Sequence, residues 1–123
     1  MATQHKILWM VTDLRGLDIT LTDDVWQAIV SKHRELLPYS DAVRLTAQDP
    51  DEIYLDPEST ARRTTGAKIY WYYKSQLFTG KLADKYTVVL VKVISEIGGN
   101  QGYVQSAWAS SRIQPRLVLE WKR

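Results

Sequence analysis

The stretch that most constrains the fold is residues 85–95, KYTVVLVKVIS. Its middle is apolar at consecutive positions, the pattern of a central strand rather than of an edge strand with one wet face. Strand-forming segments flank it. Residues 67–77, AKIYWYYKSQL, are dominated by aromatic and β-branched side chains. After the turn cluster Gly98-Gly99-Asn100-Gln101-Gly102, residues 103–110, YVQSAWAS, return as an antiparallel partner. Pro115 precedes a last strand over 116–121.

The first half reads differently. Residues 5–12 form a strand with Ile7, Trp9 and Val11 on one face, Arg15-Gly16 offers a turn, and 17–21 form a second short strand. Thr22 is placed to cap a helix over 23–37, with Asp23 and Asp24 at the positive end of its dipole. Trp26, Ile29, Val30, His33, Leu36 and Leu37 repeat at helical spacing and make one apolar stripe. Pro38 ends the helix, because proline disfavours helical geometry in the residue before it. A second short helix is expected over 40–48, capped by Ser40, then a turn at Asp49-Pro50-Asp51 and a brief strand over 52–55. Residues 56–67 are polar and read as a loop that holds Arg62-Arg63 near the start of the sheet. Helices grouped before a run of strands imply one α+β domain over residues 1–123, its N-terminal helices packed on an antiparallel sheet. Burial of Trp26, Ile29 and Val30 under that stripe contributes roughly 1.5–3 kcal/mol each.

The chain has no cysteine, which removes disulfides, thiolate metal sites and a cysteine nucleophile. It has two histidines, His5 and His33, at no metal-ligand spacing, and no phosphate-binding loop or dinucleotide fingerprint. Neither a metal nor a cofactor is indicated. No apolar run approaches the ~18–20 residues that cross a bilayer, and the start, MATQHKILWM, lacks the pattern of a signal peptide. A cytoplasmic protein without a membrane partner is the expectation. Charge is divided unevenly. Residues 1–61 hold 5 Lys/Arg against 11 Asp/Glu, net −6, and residues 62–123 hold 11 against 3, net +8. Either the second half presents a positive surface to a polyanion, or the two halves attract each other within the fold.

His33 is the most informative candidate. An imidazole on a buried stripe is either a hydrogen-bonded core residue or an acid/base group. Glu35 lies toward a flank of the helix. Lys68, Tyr70, Tyr72 and Lys74 alternate onto one face, which either binds phosphates and bases or is a plain solvent face. Lys92 stands on an otherwise apolar face with Val88, Leu90 and Ile94, where it snorkels or reaches into a site. Ser106, Trp108, Ser110 and Arg112 share another face, and Ser106 has no local histidine or acid to make it a hydrolase nucleophile.

The segment ITLTDDVWQAIVSKHREL, followed by AQDPDEIYLD, resembles the opening of phage-associated nucleases of the barnase–EndoU–colicin–RelE type. The shared elements are His33-Arg34-Glu35, Pro50-Asp51-Glu52-Ile53, Tyr72-Tyr73-Lys74, the apolar strand Thr87–Ile94, and Ser106-Ala107-Trp108, in the family's order over about residues 17–112. His-Arg-Glu stands where the family often has His-Pro-Glu, Ser106 where it has threonine, and Trp108 where it has tyrosine. The resemblance implies a barnase/RelE-like fold and metal-independent endoribonuclease activity, with a 2′,3′-cyclic phosphate product. It makes His33 the acid/base, Lys74 the phosphate-stabilising cation and Ser106 a hydrogen-bond donor to phosphate, with Glu35 assisting. Arg34, Lys92 and Arg112 become phosphate contacts, and Trp108 or Tyr73 a base-stacking ring. RNA is the implied partner, and a protein inhibitor is a second candidate.

Two other functions fit the same residues. One is a toxin-like or RNA-binding module without catalysis. The other is a protein-interaction domain of phage origin, suggested by five tryptophans and seven tyrosines.

Overall fold

A computed structural model of the chain describes residues 6–61 and 66–123. Seven strands build one sheet: β1 (Ile7–Thr12), β2 (Asp18–Thr22), β3 (Glu52–Leu55), β4 (Lys68–Lys74), β5 (Tyr86–Glu96), β6 (Gly99–Ser110) and β7 (Val118–Lys122). The helices are α1 (Asp23–Lys32), α2 (Ser40–Gln48) and the short α3 (Pro57–Ala61). The strand order β1-β2-β6-β5-β4-β3-β7 puts the apolar β5 in the middle, and the class is α+β.

The sheet is mixed, which corrects the expectation of an antiparallel one. Asp18–Thr20 of β2 run parallel to Gln101–Tyr103 of β6. The reason is topological. The β1–β2 hairpin leads into α1 and α2, which carry the chain across to β3 near the opposite edge. The meander β3-β4-β5-β6 then walks back and meets β2 in the same direction, as a connection through helices permits.

One sheet face is roofed by α1 and α2. Trp26, Ile29, Leu36, Val43 and Ala47 pack on Ile19, Leu21, Ile53, Tyr70, Tyr72, Val89 and Val91. The Tyr70/Tyr72 face is therefore core, neither a solvent face nor a phosphate-binding one. Tyr72 is fully buried, and its hydroxyl donates to Asp13 at 2.6 Å. Alternating aromatic residues make both faces of β4 apolar, so composition does not reveal which one the helices choose. The reverse face carries a second core of Ile69, Trp71, Tyr73 and Val88, with Leu117 and Ile113 from the chain after β6 laid over it. Arg116 fastens that cover. Its guanidinium bonds Asp56 at 2.7 Å and lies 5.3 Å from the Trp71 ring centre, while the Trp71 indole N–H donates to Asp56 at 3.1 Å.

Helix α1 stops at Lys32, short of the expected 37, and residues 34–39 form a 3₁₀ turn with Pro38 inside it. Pro38 has no N–H for the carbonyl four residues back, and its ring crowds that carbonyl. His33 thus leaves the helical stripe and becomes the C-cap, at φ −127° and ψ 70°. Ser40 begins α2 rather than capping it. Helix α3 forms inside the expected loop. Pro57 suits a first helical position, and the Asp56 carboxylate accepts the Ser59 N–H at 3.0 Å. Arg62 and Arg63 lie outside the described residues. Among those described, no helix is long and apolar enough to cross a membrane.

Candidate functional site

The site forms where the sheet loses a strand. β2 accompanies β6 only to Tyr103, because the chain leaves β2 for α1 at Asp23. From Val104 onward β6 pairs with β5 on one side and, among the described residues, with no strand on the other. Helix α1 packs on β6 along this gap and ends with His33 against Trp108, their ring centres 6.2 Å apart.

A bulge decides which side chains face the gap. The β5–β6 register pairs Leu90 with Ser106 but Val91 with Val104, leaving Gln105 extra. Val104 and Ala107 both face the helices, so Ser106, Trp108 and Ser110 point to the reverse face. Trp108 also meets Trp71 edge-on at 5.0 Å, so it ties the site to the second core. His33 is part-exposed, and its Nδ1 lies 3.8 Å from Glu35 Oε1, with the Glu35 side chain 42 % exposed. The Ser106 hydroxyl has no hydrogen bond to another described residue.

Lys92 stands on the same reverse face, paired across to Tyr103. Half-buried, it has no carboxylate partner among the described residues. Beside it opens a crevice of about 350 Å³ whose walls include Thr20, Thr22, Lys92, Ile94, Tyr103 and Gln105. Arg112 is exposed just past β6, where its backbone is held by Ser110 Oγ, which donates to the Arg112 carbonyl at 2.7 Å. Arg34 is exposed and turns to a different hollow, about 390 Å³, beside Gln27, Ser31 and Leu37.

Two residues assigned from the family motifs do not join this group. Lys74 has the facing of Tyr70 and Tyr72, on the helix-covered side of β4, whereas Ser106 and Trp108 lie on the reverse side. Its ammonium is 3.4 Å from Asp51 and 3.5 Å from Asp49, and Arg123 joins the same two carboxylates. The Arg123 hydrogen bond holds Asp49 below its usual pKa, against the effect of burial. Burial would raise Asp51, but the Ser75 N–H and Lys74 outweigh it and lower the group. A cation held by two ionised carboxylates has little charge left for a phosphate. Tyr73 is fully buried, and its hydroxyl accepts the Gln114 N–H at 3.4 Å, so no ring face is open to a base.

His33 thus lies against Trp108 with Glu35 beside it, Ser106 and Lys92 lie on the sheet face that bears Trp108, Arg112 follows β6, and Lys74 and Tyr73 are elsewhere. Thr20, Thr22 and Gln105 are additions that the motifs did not identify. Only the three-residue step from Val104 to Ala107, in a strand that otherwise alternates, hints at the bulge that exposes Gln105. Among the described residues no three His, Cys, Asp or Glu side chains stand together as a metal set.

Comparison with known proteins found no matching family model, no matching curated protein and no matching solved structure.

Proposed function

We propose that the gap beside β6 is an RNA phosphodiester site on a barnase/RelE-like scaffold, and that the protein is a metal-independent endoribonuclease. The observation that carries this reading is the placement of His33 against Trp108, on the sheet face that also bears a hydroxyl, Ser106, and an ammonium, Lys92, neither of which is engaged among the described residues. A ring, an acid/base group, a hydroxyl donor and a cation are what a ribonucleotide linkage needs.

In that reaction the ribose 2′ oxygen bonds to phosphorus while its proton passes to a base. The bond from phosphorus to the 5′ oxygen breaks as that oxygen takes up a proton. His33 serves as the acid/base, Glu35 orients its imidazole, and water at the partly open gap completes the other transfer. Ser106 donates to a non-bridging oxygen. Lys92, with Arg112 beyond it, replaces Lys74 as the source of positive charge, and Trp108 offers a base its remaining open surface.

The test is cleavage of single-stranded RNA in EDTA, with products identified by mass. Native chain should yield 2′,3′-cyclic phosphate ends, and His33→Ala should reduce the rate roughly 10²–10⁴-fold while keeping its circular dichroism. Unchanged cleavage by His33→Ala would remove the imidazole from the mechanism.

The commitment of Lys74 to Asp49 and Asp51 favours one second reading, RNA binding without cleavage. Its signature is salt-sensitive binding with no products. An aromatic protein-docking surface has less support. Every tryptophan and tyrosine lies among the described residues, and each is buried or half-buried.

A further inference from the structure

The crevice beside the site has a composition of its own. Thr20 and Thr22 come from the end of β2, Lys92 and Ile94 from β5, and Tyr103 and the bulged Gln105 from β6. It exists because β2 turns away into α1 just where β6 bulges, so neither strand fills the space between them. Its volume, about 350 Å³, lies at the small end of the range of ligand pockets. That suits a nucleoside, not a folded chain.

Its chemistry is half apolar and half hydrogen-bonding. Ile94 and Val25 provide apolar wall, and the hydroxyls of Thr20 and Thr22 have no hydrogen-bond partner among the described residues. Thr22 in particular makes no side-chain cap to α1. Among the described residues the Gln105 amide is engaged by one long 3.5 Å contact, from its Nε2 to the Tyr103 carbonyl, and its oxygen has no partner there. Asp24 lines the crevice as Lys92 does, so its walls carry one charge of each sign. A neutral, flat, polar-edged group fits these walls better than a phosphate does.

Gln105 is adjacent to Ser106 and three residues from Trp108, at about 3.3 Å per residue along the strand. Building on the RNA reading of the gap, we infer that this crevice is a base-recognition pocket, which takes one unpaired nucleobase of the strand whose phosphate lies at His33 and Ser106. Gln105 and Thr22 then set the base preference and touch no reacting atom.

The experiment uses the full chain carrying His33→Gln, so that RNA survives the measurement. Fluorescence anisotropy reports binding of labelled oligo-A, oligo-C and oligo-U. The parent should discriminate best from worst by about fivefold or more, and adding Gln105→Leu or Thr22→Val should bring the three within about twofold. Thr22→Val is nearly isosteric and removes no cap, so it serves if Gln105→Leu misfolds. Titration with nucleoside monophosphates should also shift the Gln105 side-chain amide in NMR spectra of the parent. An unchanged preference in both variants, or none in the parent, overturns the pocket even where native chain cleaves RNA. Loss of preference in the variants, with no cleavage by native chain, leaves the pocket standing and removes the nuclease. Failure to bind any oligomer at low salt overturns both.

Discussion

The Asp56 carboxylate is 1 % exposed and ionised, enclosed by the Arg116 guanidinium, the N–H and hydroxyl of Ser59, and the Trp71 indole. Burial would push its pKa up, but Arg116 and Ser59 outweigh that and hold it at about 2, below the ordinary 3.8. A pKa depressed by folding stabilises the native state above the unfolded value, and the stabilisation fades as pH falls toward the folded value. Asp56 should therefore contribute on the order of 2 kcal/mol at neutral pH. Urea unfolding of Asp56→Asn, followed by Trp71 fluorescence, should show a deficit of that order at pH 7 that narrows between about pH 4 and pH 2.5. A deficit constant across that window would mean that the charge is not what matters. Trp108 invites a different measurement. With the ring centres 6.2 Å apart, the His33 imidazole protons carry a ring-current shift, and Trp108→Leu should return them toward free-histidine positions. Resonances that stay in place would separate the two rings and dissolve the candidate site.

Among the elements, β2 and β6 meet closely at Gly102. A Cβ on Gly102 would meet Ile19 and Val91 side-chain carbons at 3.1 Å and Leu17 at 3.2 Å. Gly102→Ala should cost about 1–3 kcal/mol by overpacking, read as a lower urea midpoint with an unchanged slope. A neutral result would show that the junction yields. The same junction marks where the sequence stopped being legible. Strands β3, β4 and β5 follow from local pattern, since Glu52–Leu55, Lys68–Lys74 and Tyr86–Glu96 fall where alternation, aromatic content and apolar runs place them. The parallel pairing of Asp18–Thr20 with Gln101–Tyr103 joins segments some eighty residues apart and leaves no local trace. The end of α1 was misjudged because the apolar stripe continues through Leu36 and Leu37, although Pro38 had already unsettled the turn before it. The same break moved His33 from the stripe to the edge of β6. Among the candidate residues, His33, Ser106 and Trp108 stand out in the sequence by type and order, while the contact of His33 with Trp108 depends on that break. Lys74 was misplaced because the facing of β4 depends on which aromatic layer the helices cover.

For the molecule as a whole, the uneven charge of the two halves is settled internally in part. Lys74 and Arg123 meet Asp49 and Asp51, Arg116 meets Asp56 and Glu58, and Lys122 meets Glu52. Each pair joins the basic half to the acidic half, so most of these contacts hold the sheet's β3–β7 edge and the chain after β6 against the body. This limits the charge available to a polyanion. If Lys92, Arg112 and Arg34 are the cations that meet RNA, about three phosphates are neutralised, and log K against log salt should fall with a slope of roughly −2 for a single strand. A positive surface using every basic side chain of the second half would give a slope near −7 or −8 by the same relation. Anisotropy titrations of the His33→Gln chain with oligo-A between low and physiological salt distinguish the two. Lys92→Ala should make the slope shallower by about 0.7, whereas Lys122→Ala should leave it unchanged. A native slope near −7 or −8 is the slope expected if the paired cations abandon their carboxylates on binding. RNA and the folded chain would then compete for the same charges, and the β3–β7 edge would loosen whenever RNA was held.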